Sequence, residues 1–260
     1  MFLGIDSGST TTKVVLTRGD GEVVARRVAA TGDDCAATAE SLRVEMLGAG
    51  AAGATAIRTA ATGYGRRRIR GADLAVTEIT CHAAGVQRLM PGVRCILDVG
   101  GQDSKAIRLD AAGRVEDFTM NDKCAAGTGR FLEVIAARFG LDVSALGVTF
   151  DESVRPVEIA ATCAIFAETE VISLLSEGHS RESVLAGVHL ALARRVAALA
   201  EQLRFDGPVA FSGGVALNRA MAVMLERALS LPVRVCPDPQ FTAALGAALL
   251  AAQIKTAEPA

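Results

Sequence analysis

Residues 4–13, Gly-Ile-Asp-Ser-Gly-Ser-Thr-Thr-Thr-Lys, decide the fold of this chain. The apolar run that ends at Asp6 predicts a buried strand, and the small polar residues after it predict a turn. Residues 13–17 predict a second strand, and Gly19-Asp20-Gly21 is a hairpin signal before a third strand at residues 22–28. The stretch therefore predicts a meander with an acidic residue where its first strand ends.

This pattern occurs twice, with a constant separation of 92 positions. The matched residues agree in type and in place along the hairpin; they are Asp6 with Asp98, Gly8 with Gly100, Lys13 with Lys105, and Gly21 with Gly113. A repeat of this length predicts two related halves that begin with the same meander. We assign residues 1–92 to the first half, with a C-terminal helix at residues 241–260 packing back on it. Residues 93–240 form the second half.

Each hairpin carries groups that suit a magnesium–phosphate ligand. Turns rich in Gly, Ser and Thr present backbone N–H groups to phosphate oxygens. The carboxylates of Asp6 and Asp98 can hold Mg²⁺ through water. One such hairpin alone is more often an ordinary turn, but the matched pair predicts a polyphosphate held from both sides.

A second motif lies in the second half. Residues 121–130, Asn-Asp-Lys-Cys-Ala-Ala-Gly-Thr-Gly-Arg, contain Cys124. An amphipathic helix is predicted after them, because Phe131, Ile135 and Phe139 recur at intervals of four residues. Cys124 therefore precedes a helix N-terminus, where backbone N–H groups favour negative charge.

Cys163 has the same setting, before an apolar helix predicted at residues 164–175. Thiolates suit helix starts. A cubane iron–sulfur cluster takes four thiolates, so two cysteines provide half a site, which a two-fold homodimer would complete. On spacing alone the alternative stays open that Cys124 and Cys163 are small buried apolar residues, since the chain has no C-x-x-C.

Composition excludes several classes of protein. The 260 residues suffice for one large domain or two smaller ones, and the net charge of −2 predicts no general affinity for nucleic acid or for an anionic membrane. The six cysteines follow no disulfide pattern, and the N-terminus shows no signal-peptide pattern. We therefore expect a cytoplasmic protein.

The rest of the second half has the sequence pattern of a core helix followed by a strand and a second glycine turn. Residues 183–204 carry an apolar stripe. A strand at residues 209–211 leads into Ser212-Gly213-Gly214 and a helix at residues 215–228, with Asn218 in its first turns. The two glycines would let a planar ring or a ribose approach the backbone. No G-x-x-x-x-G-K-[ST] pattern is present, which disfavours a P-loop.

The paired Asp-x-Gly hairpins and the later Ser-Gly-Gly turn resemble the nucleotide-binding fold shared by actin, sugar kinases and Hsp70 chaperones. More narrowly, the chain resembles the ATP-dependent activators of 2-hydroxyacyl-CoA dehydratases, of the BadF/BadG/BcrA/BcrD ATPase type. This implies an α/β fold of two related halves, each with a mixed β-sheet flanked by helices. The blocks that carry the resemblance span nearly the whole chain and are residues 4–10, 61–66, 78–83, 98–103, 121–131, 162–174 and 213–216.

The resemblance implies an ATP hydrolase and a set of cofactors and partners. A homodimer would share one [4Fe–4S] cluster, held by Cys124 and Cys163 of each subunit. Hydrolysis of ATP to ADP would drive one low-potential electron to a separate dehydratase. Ferredoxin or flavodoxin would be the electron donor. Nucleotide binding between the two halves would move the cysteine helices.

It also implies roles for individual residues. Asp6 and Asp98 are assigned to Mg²⁺ and its water, and Gln102 or Asp103 to the attacking water. The nucleotide phosphates are assigned to the hairpin turns, at Gly8, Ser9, Thr10, Thr11, Thr12, Lys13, Gly100 and Gly101, with Gly127 as a further nucleotide-binding residue. The adenosine is assigned to Gly213, Gly214, Asn218 and Gln240.

Three alternatives remain open at this point. The ATPase subunits of benzoyl-CoA reductases carry equivalent cysteines, but they usually occur as two different related chains. A small-molecule kinase of the same fold would leave Cys124 and Cys163 unexplained. A nucleotide-dependent chaperone would need a peptide-binding domain, for which the chain is too short.

Overall fold

The structure is a computed structural model that describes residues 1–50, 57–147, 150–160 and 163–254. The strands of these residues, in chain order, are β1 (Phe2–Ser7), β2 (Thr11–Thr17), β3 (Val23–Ala30), β4 (Arg58–Thr62), β5 (Leu74–Ala75), β6 (Cys95–Val99), β7 (Ser104–Leu109), β8 (Val115–Asn121), β9 (Val209–Ser212) and β10 (Val233–Val235). The α-helices are α1 (Cys35–Gly50), α2 (Glu78–Leu89), α3 (Gly129–Arg138), α4 (Ala164–Ser176), α5 (Arg181–Gln202), α6 (Arg219–Leu229) and α7 (Thr242–Ala251).

The chain divides into two compact units. The first unit comprises Met1–Pro91 and Gln240–Ala260, and the second comprises Gly92–Pro239. Cys124 and Cys163 both belong to the second unit.

The first unit is built on a five-stranded sheet in the order β3-β2-β1-β4-β5. Strand β1 is antiparallel to β2 and parallel to β4, and Asp6 lies opposite Lys13 in the register. Helix α7 packs on β1, β2 and β4 and against α2. A Cβ atom on Gly4 would overlap the carbonyl oxygen of Ala244 in α7. The C-terminal helix can lie this close to the central strand only because residue 4 has no side chain.

The second unit repeats this topology, with the order β10-β9-β6-β7-β8. Asp98 lies opposite Lys105. Each meander has an irregularity in its second strand, at Leu16/Thr17 in one unit and at Arg108/Leu109 in the other. The sequence repeat therefore corresponds to a repeat of structure, down to the same register shift.

The structural repeat continues beyond the part visible in the sequence. Strand β4 ends at Thr62 opposite Asp6, and β9 ends at Ser212 opposite Asp98. The glycines that follow these strands, Gly63 and Gly213, both have φ of +89°. This match is hidden in the sequence because the segments before β4 and β9 differ in length and in fold.

Helix α5 forms the centre of the second unit's core. The predicted apolar stripe is confirmed, since Val188, Leu192 and Val196 are fully buried. By length and composition α5 is also apolar enough to cross a membrane, but 72% of its apolar window is buried inside the structure. The apolar face of α5 is therefore accounted for by packing against the sheet and the other helices of its unit.

Two predicted boundaries were wrong. The helix predicted at residues 215–228 is interrupted: a 3₁₀ helix, Gly214–Leu217, precedes α6, and Asn218 is the N-cap of α6. Thr11 and Thr12, predicted as turn residues, open strand β2. The C-terminal helix predicted at residues 241–260 corresponds to α7, which ends at Ala251. Residues 255–260 lie outside the described part of the chain. Thr162, in the segment before Cys163, also lies outside it.

Candidate functional site

The first hairpin places a carboxylate and an ammonium group together at the end of β1. Asp6 is buried, with 7% of its surface exposed, and its Oδ2 atom lies 3.2 Å from Nζ of Lys13. A Cβ atom on Gly63 would lie 2.7 Å from Oδ1 of Asp6. Glycine at position 63 therefore gives the backbone its positive φ and leaves room for the carboxylate.

Hydrogen bonds within the first unit stabilise the turn of the first hairpin. The N–H of Gly8 donates to the carbonyl of Thr11 at 3.2 Å. The hydroxyl of Thr31 donates to the carbonyl of Gly8 at 2.8 Å, and the hydroxyls of Thr12 and Thr31 are 3.0 Å apart. Since Thr31 uses its proton on Gly8, Thr12 donates to Thr31. Two of the groups assigned to phosphate, the Gly8 N–H and the Thr12 hydroxyl, thus stabilise the turn itself.

The second hairpin has one more acidic residue than the first. Nζ of Lys105 lies 2.7 Å from Oδ2 of Asp103 and 3.6 Å from Oδ2 of Asp98. The hydroxyl of Ser212 donates to Oδ1 of Asp98 at 3.0 Å. Lys105 is 3% exposed, so its charge is buried between two carboxylates. Lys105 was not assigned a role from the sequence, although its match with Lys13 was the available signal.

Each turn keeps two backbone N–H groups for another partner. Within the described part of the chain, no acceptor is found for the N–H groups of Ser9 and Thr10 or of Gly101 and Gln102. In contrast, the Gly100 N–H donates to the carbonyl of Asp103 at 2.9 Å. N–H groups without a protein partner bind water or a ligand oxygen. These four N–H groups are therefore the ones in the turns that could donate to a phosphate oxygen.

The second turn is bonded directly to the start of α3. The N–H groups of Gly129 and Arg130 donate to the carbonyls of Gly100 and Gly101, both at 2.9 Å. The hydroxyl of Ser104, which matches Thr12 in the repeat, donates to the carbonyl of Gly127. Gly127 is therefore part of the support of this hairpin, and hydrogen bonds link the hairpin both to α3 and to the segment before α3.

Cys124 lies in this same segment. It is exposed and occupies the N-cap position of a 3₁₀ helix, Ala125–Gly127, which precedes α3. The side chain of Asn121 accepts from the N–H of Cys124 at 3.1 Å and donates to its carbonyl at 2.8 Å. The helix predicted after this segment is confirmed: α3 begins at Gly129, five residues after Cys124, with the 3₁₀ turn between them.

Cys163 is the N-cap residue of α4 and is half-buried. The two residues after Ala164 are large, apolar and exposed: Ile165 is 72% exposed and Phe166 is 69% exposed. Among the described residues no group of three or more His, Cys, Asp or Glu side chains could hold a metal ion. The described part of the chain thus offers two thiols that solvent can reach, and an uncovered apolar pair follows Cys163.

The remaining cysteines of the chain, Cys35, Cys81, Cys95 and Cys236, are buried. Burial raises the pKa of the Cys81 thiol to about 12. Cys81 is therefore not a nucleophile at neutral pH. The neighbouring His82 is also buried, so both residues contribute to the interior of the first unit.

The residues assigned to adenosine differ in their surroundings. Gly213 is buried, and a Cβ atom there would lie 2.8 Å from Oδ1 of Asp98, whereas Gly214 is exposed. The side chain of Asn218 is used at both ends: Oδ1 accepts from the Ala220 N–H at 2.9 Å, and Nδ2 lies 3.0 Å from Nε2 of His189. Gln240 belongs to the first unit. The adenosine assignments stay predictions.

His189 fixes the cap of α6 through one tautomer. Its Nδ1 lies 2.7 Å from the carbonyl of Leu185, so Nδ1 is the donor and Nε2 accepts from Asn218. Burial lowers the pKa of His189 below 6.5, against the opposing effect of the Leu185 hydrogen bond. Between the two pKa values the unfolded chain binds a proton that the folded chain does not, so stability rises with pH.

We expect the free energy of unfolding to fall as the pH is lowered through 6.5, because the stabilisation from neutral His189 is complete only above that value. The measurement is urea unfolding at intervals between about pH 8 and pH 5. His189→Gln should flatten this dependence, and His179→Gln, at an exposed position, is the matched control. A wild-type slope in His189→Gln would show that another group carries the pH dependence.

The two units and their hairpins define the class of protein. Two five-stranded mixed sheets of identical order, each with an aspartate and a glycine turn after its first strand, are typical of the ATP-binding fold of actin and sugar kinases. A glucokinase from Streptomyces griseus shares this fold with a TM-score of 0.57 and 17% identity, over 97% of this chain and 99% of the kinase. That likeness shows the fold alone.

The chain belongs to the BadF/BadG/BcrA/BcrD ATPase family, whose sequence profile matches residues 3–251. It is 46% identical to the uncharacterised protein YjiL of Escherichia coli, over 98% of both chains. It is 42% identical to the activator of lactoyl-CoA dehydratase of Anaerotignum propionicum, over 96% of both. The activator of the 2-hydroxyisocaproyl-CoA dehydratase of Clostridium difficile, solved with bound ADPNP, superposes with a TM-score of 0.90 and 38% identity, over 99% of both.

Proposed function

We propose that this protein is the ATP-hydrolysing activator of a 2-hydroxyacyl-CoA dehydratase. In this proposal two copies share one [4Fe–4S] cluster, accept electrons from a ferredoxin or flavodoxin in the cytoplasm, and pass them singly to the dehydratase. The observation that carries it is the pair Cys124 and Cys163 at two helix starts of one unit, with the helix after Cys124 bonded to the second hairpin turn.

The cysteine pair fits half of a cubane site. Such a cluster takes four thiolates, and one chain brings two that solvent can reach. A two-fold axis through this surface would double the set and would cover Ile165 and Phe166, whose exposure is costly in an isolated chain. When bound, the cluster would supply a one-electron carrier of low potential, which no side chain of the protein provides.

The hairpins would perform ATP hydrolysis. Asp6 and Asp98 each have one carboxylate oxygen on a lysine, which fixes them to hold Mg²⁺ through water. Asp103 is ion-paired with Lys105, whereas Gln102 is exposed. An exposed amide is free to orient a water molecule. We therefore propose Gln102 as the residue that positions the attacking water.

Coupling between hydrolysis and the cysteine site would run within the second unit. The carbonyls of Gly100 and Gly101 cap α3, and Ser104 anchors the 3₁₀ helix that begins beside Cys124. Loss of the γ-phosphate would release the N–H groups of Gly101 and Gln102 and let the turn shift. The start of α3 would then move with it and change the surroundings of Cys124.

The test is anaerobic purification with iron and sulfide analysis and the mass in solution. We expect a dimer with about four irons per two chains in the wild type. Cys124→Ser and Cys163→Ser should each lose the iron. Cys35→Ser, at a buried cysteine of the first unit, is the matched control and should retain it.

The second readout is activation. Wild-type protein with ATP and a reduced donor should activate a purified 2-hydroxyacyl-CoA dehydratase, and the two iron-free variants should not. Two results together would overturn the electron-transfer proposal: a wild-type protein that is monomeric and free of iron, and undiminished ATPase activity in Cys124→Ser, Cys163→Ser and Cys35→Ser. They would instead favour a small-molecule kinase.

A further inference from the structure

Arg195 of helix α5 packs on α3, the helix that follows the Cys124 segment. Its guanidinium stacks on the ring of Phe131 in α3, with Cζ 5.3 Å from the ring centroid, and its Nη1 atom is buried. Helix α5 also packs against the 3₁₀ helix Ala125–Gly127 that follows Cys124. A long, flexible side chain is thus fixed in one place by an aromatic face.

The acidic and thiol groups within electrostatic range of Arg195 are Cys124, Cys163 and Glu170. Burial lowers the pKa of the Arg195 guanidinium, and negative charge on these groups opposes that shift. Glu170 is itself oriented, because its carboxylate accepts from the N–H of Ala160 at 2.8 Å. An arginine keeps its proton in proteins even when partly buried, so a permanent positive charge lies within electrostatic range of both thiols.

We propose that Arg195 is the fixed cation of the cysteine site, whose guanidinium, held on Phe131, stabilises negative charge at Cys124 and Cys163 and raises the reduction potential of a cluster bound there. This rests on the proposed function. Arg195 acts through its charge and does not coordinate iron, because a guanidinium has N–H donors but no acceptor atom.

The consequence follows from charge. One-electron reduction adds one negative charge to the site, with the electron taken from an external donor. A nearby cation favours the reduced form, and a partly buried cation is screened less by solvent than a surface one. Four thiolates make such a site strongly negative, so without Arg195 it would be harder to reduce by a donor of fixed potential.

The experiment is a redox titration of the anaerobically purified dimer with titanium(III) citrate, followed by electron paramagnetic resonance. In Arg195→Gln we expect about a tenfold shift of the reduction equilibrium toward the oxidised form, equal to about 59 mV for one electron. Iron content should stay at the wild-type value. Arg195→Lys, which keeps the charge, should recover most of the shift.

Arg194→Gln is the matched control, because Arg194 is the adjacent arginine of the same helix and is exposed. Neighbouring helix residues point about 100° apart. Arg194→Gln therefore removes the same charge as Arg195→Gln, but from a different face of α5. A wild-type potential in Arg195→Gln, with the cluster present, would overturn this inference alone. Absence of iron from the wild type would overturn the proposed function instead.

A second measurement decides the case in which Arg195→Gln fails to keep a cluster. Cluster-free protein is alkylated with iodoacetate, which is anionic, or with iodoacetamide, which is neutral, and Cys124 is quantified by peptide mass spectrometry. The ratio of the iodoacetate rate to the iodoacetamide rate should fall in Arg195→Gln at low ionic strength and converge with wild type at high salt. An unchanged ratio would show that the charge of Arg195 does not act on Cys124.

Discussion

Asp98→Asn should lower the ATPase rate about 10²- to 10³-fold while the protein stays folded. A magnesium site supplies several kcal/mol of transition-state stabilisation, and each 1.36 kcal/mol is about tenfold in rate. The fold should survive because the buried ammonium group of Lys105 keeps Asp103 as a partner at 2.7 Å, and asparagine can still accept from Ser212. The measurement is phosphate release under saturating ATP, with circular dichroism to monitor folding.

Asp117→Asn is the control for this experiment, since Asp117 is an exposed aspartate of β8 in the same unit. Asp6→Asn tests the repeat: if both hairpins hold the metal and its water, the two variants should lose activity to a similar extent. Full activity in Asp98→Asn would exclude the second hairpin from the catalytic site and would remove the basis for the assignments of Gln102 and Asp103.

Gly246→Ala should destabilise the first unit by about 3 kcal/mol, toward the upper end of what overpacking a core costs. A Cβ atom at residue 246 would overlap the carbonyl oxygen of Cys81 in α2, and a backbone atom cannot rotate away. Gly85 is in the same position on the other helix, where a Cβ atom would overlap the carbonyl of Thr242. Helices α2 and α7 thus pack backbone against backbone. Chemical denaturation measures the effect.

Gly48→Ala gives the matched comparison. Gly48 also lies in a helix of the first unit, but a Cβ atom there meets nothing within 4 Å. Alanine should therefore stabilise α1 by about 0.5 to 1 kcal/mol through helix propensity. Equal effects of the two substitutions would show that the close approach of α2 and α7 does not contribute to stability.

Much of the fold was predictable because it is encoded locally. The apolar runs, the turn glycines and the separation of 92 positions between Asp6 and Asp98 predict both meanders without reference to distant residues. Cys163 at a helix start is confirmed for the same reason. The match of Gly63 with Gly213 was not predictable, since it depends on β4 and β9 joining the sheets beside β1 and β6.

The chemistry of individual groups depended on neighbours distant in sequence. The sequence shows Thr12 and Gly8 as phosphate-binding candidates, but the Thr12 hydroxyl donates to Thr31, which follows β3, and the Gly8 N–H donates to the carbonyl of Thr11. The side-chain amide of Asn218 could bind a ligand, but its Nδ2 atom is hydrogen-bonded to His189 of α5. Such hydrogen bonds form only when separate strands and helices pack together. Local sequence patterns do not encode that packing.

By itself, the sequence determined the repeated meanders, the aspartates at the strand ends and the two helix-start cysteines, because each depends on residues close together along the chain. It also determined the family resemblance, because short local motifs carry it. Only the tertiary structure decided that Lys105 is buried between Asp98 and Asp103, that the second turn caps α3, and that Arg195 lies within electrostatic range of Cys124 and Cys163. These groups are separated by up to 71 positions in the chain, from Cys124 to Arg195. Hydrogen bonds and charges act through space over a few ångströms, so their partners exist only once the strands and helices have packed.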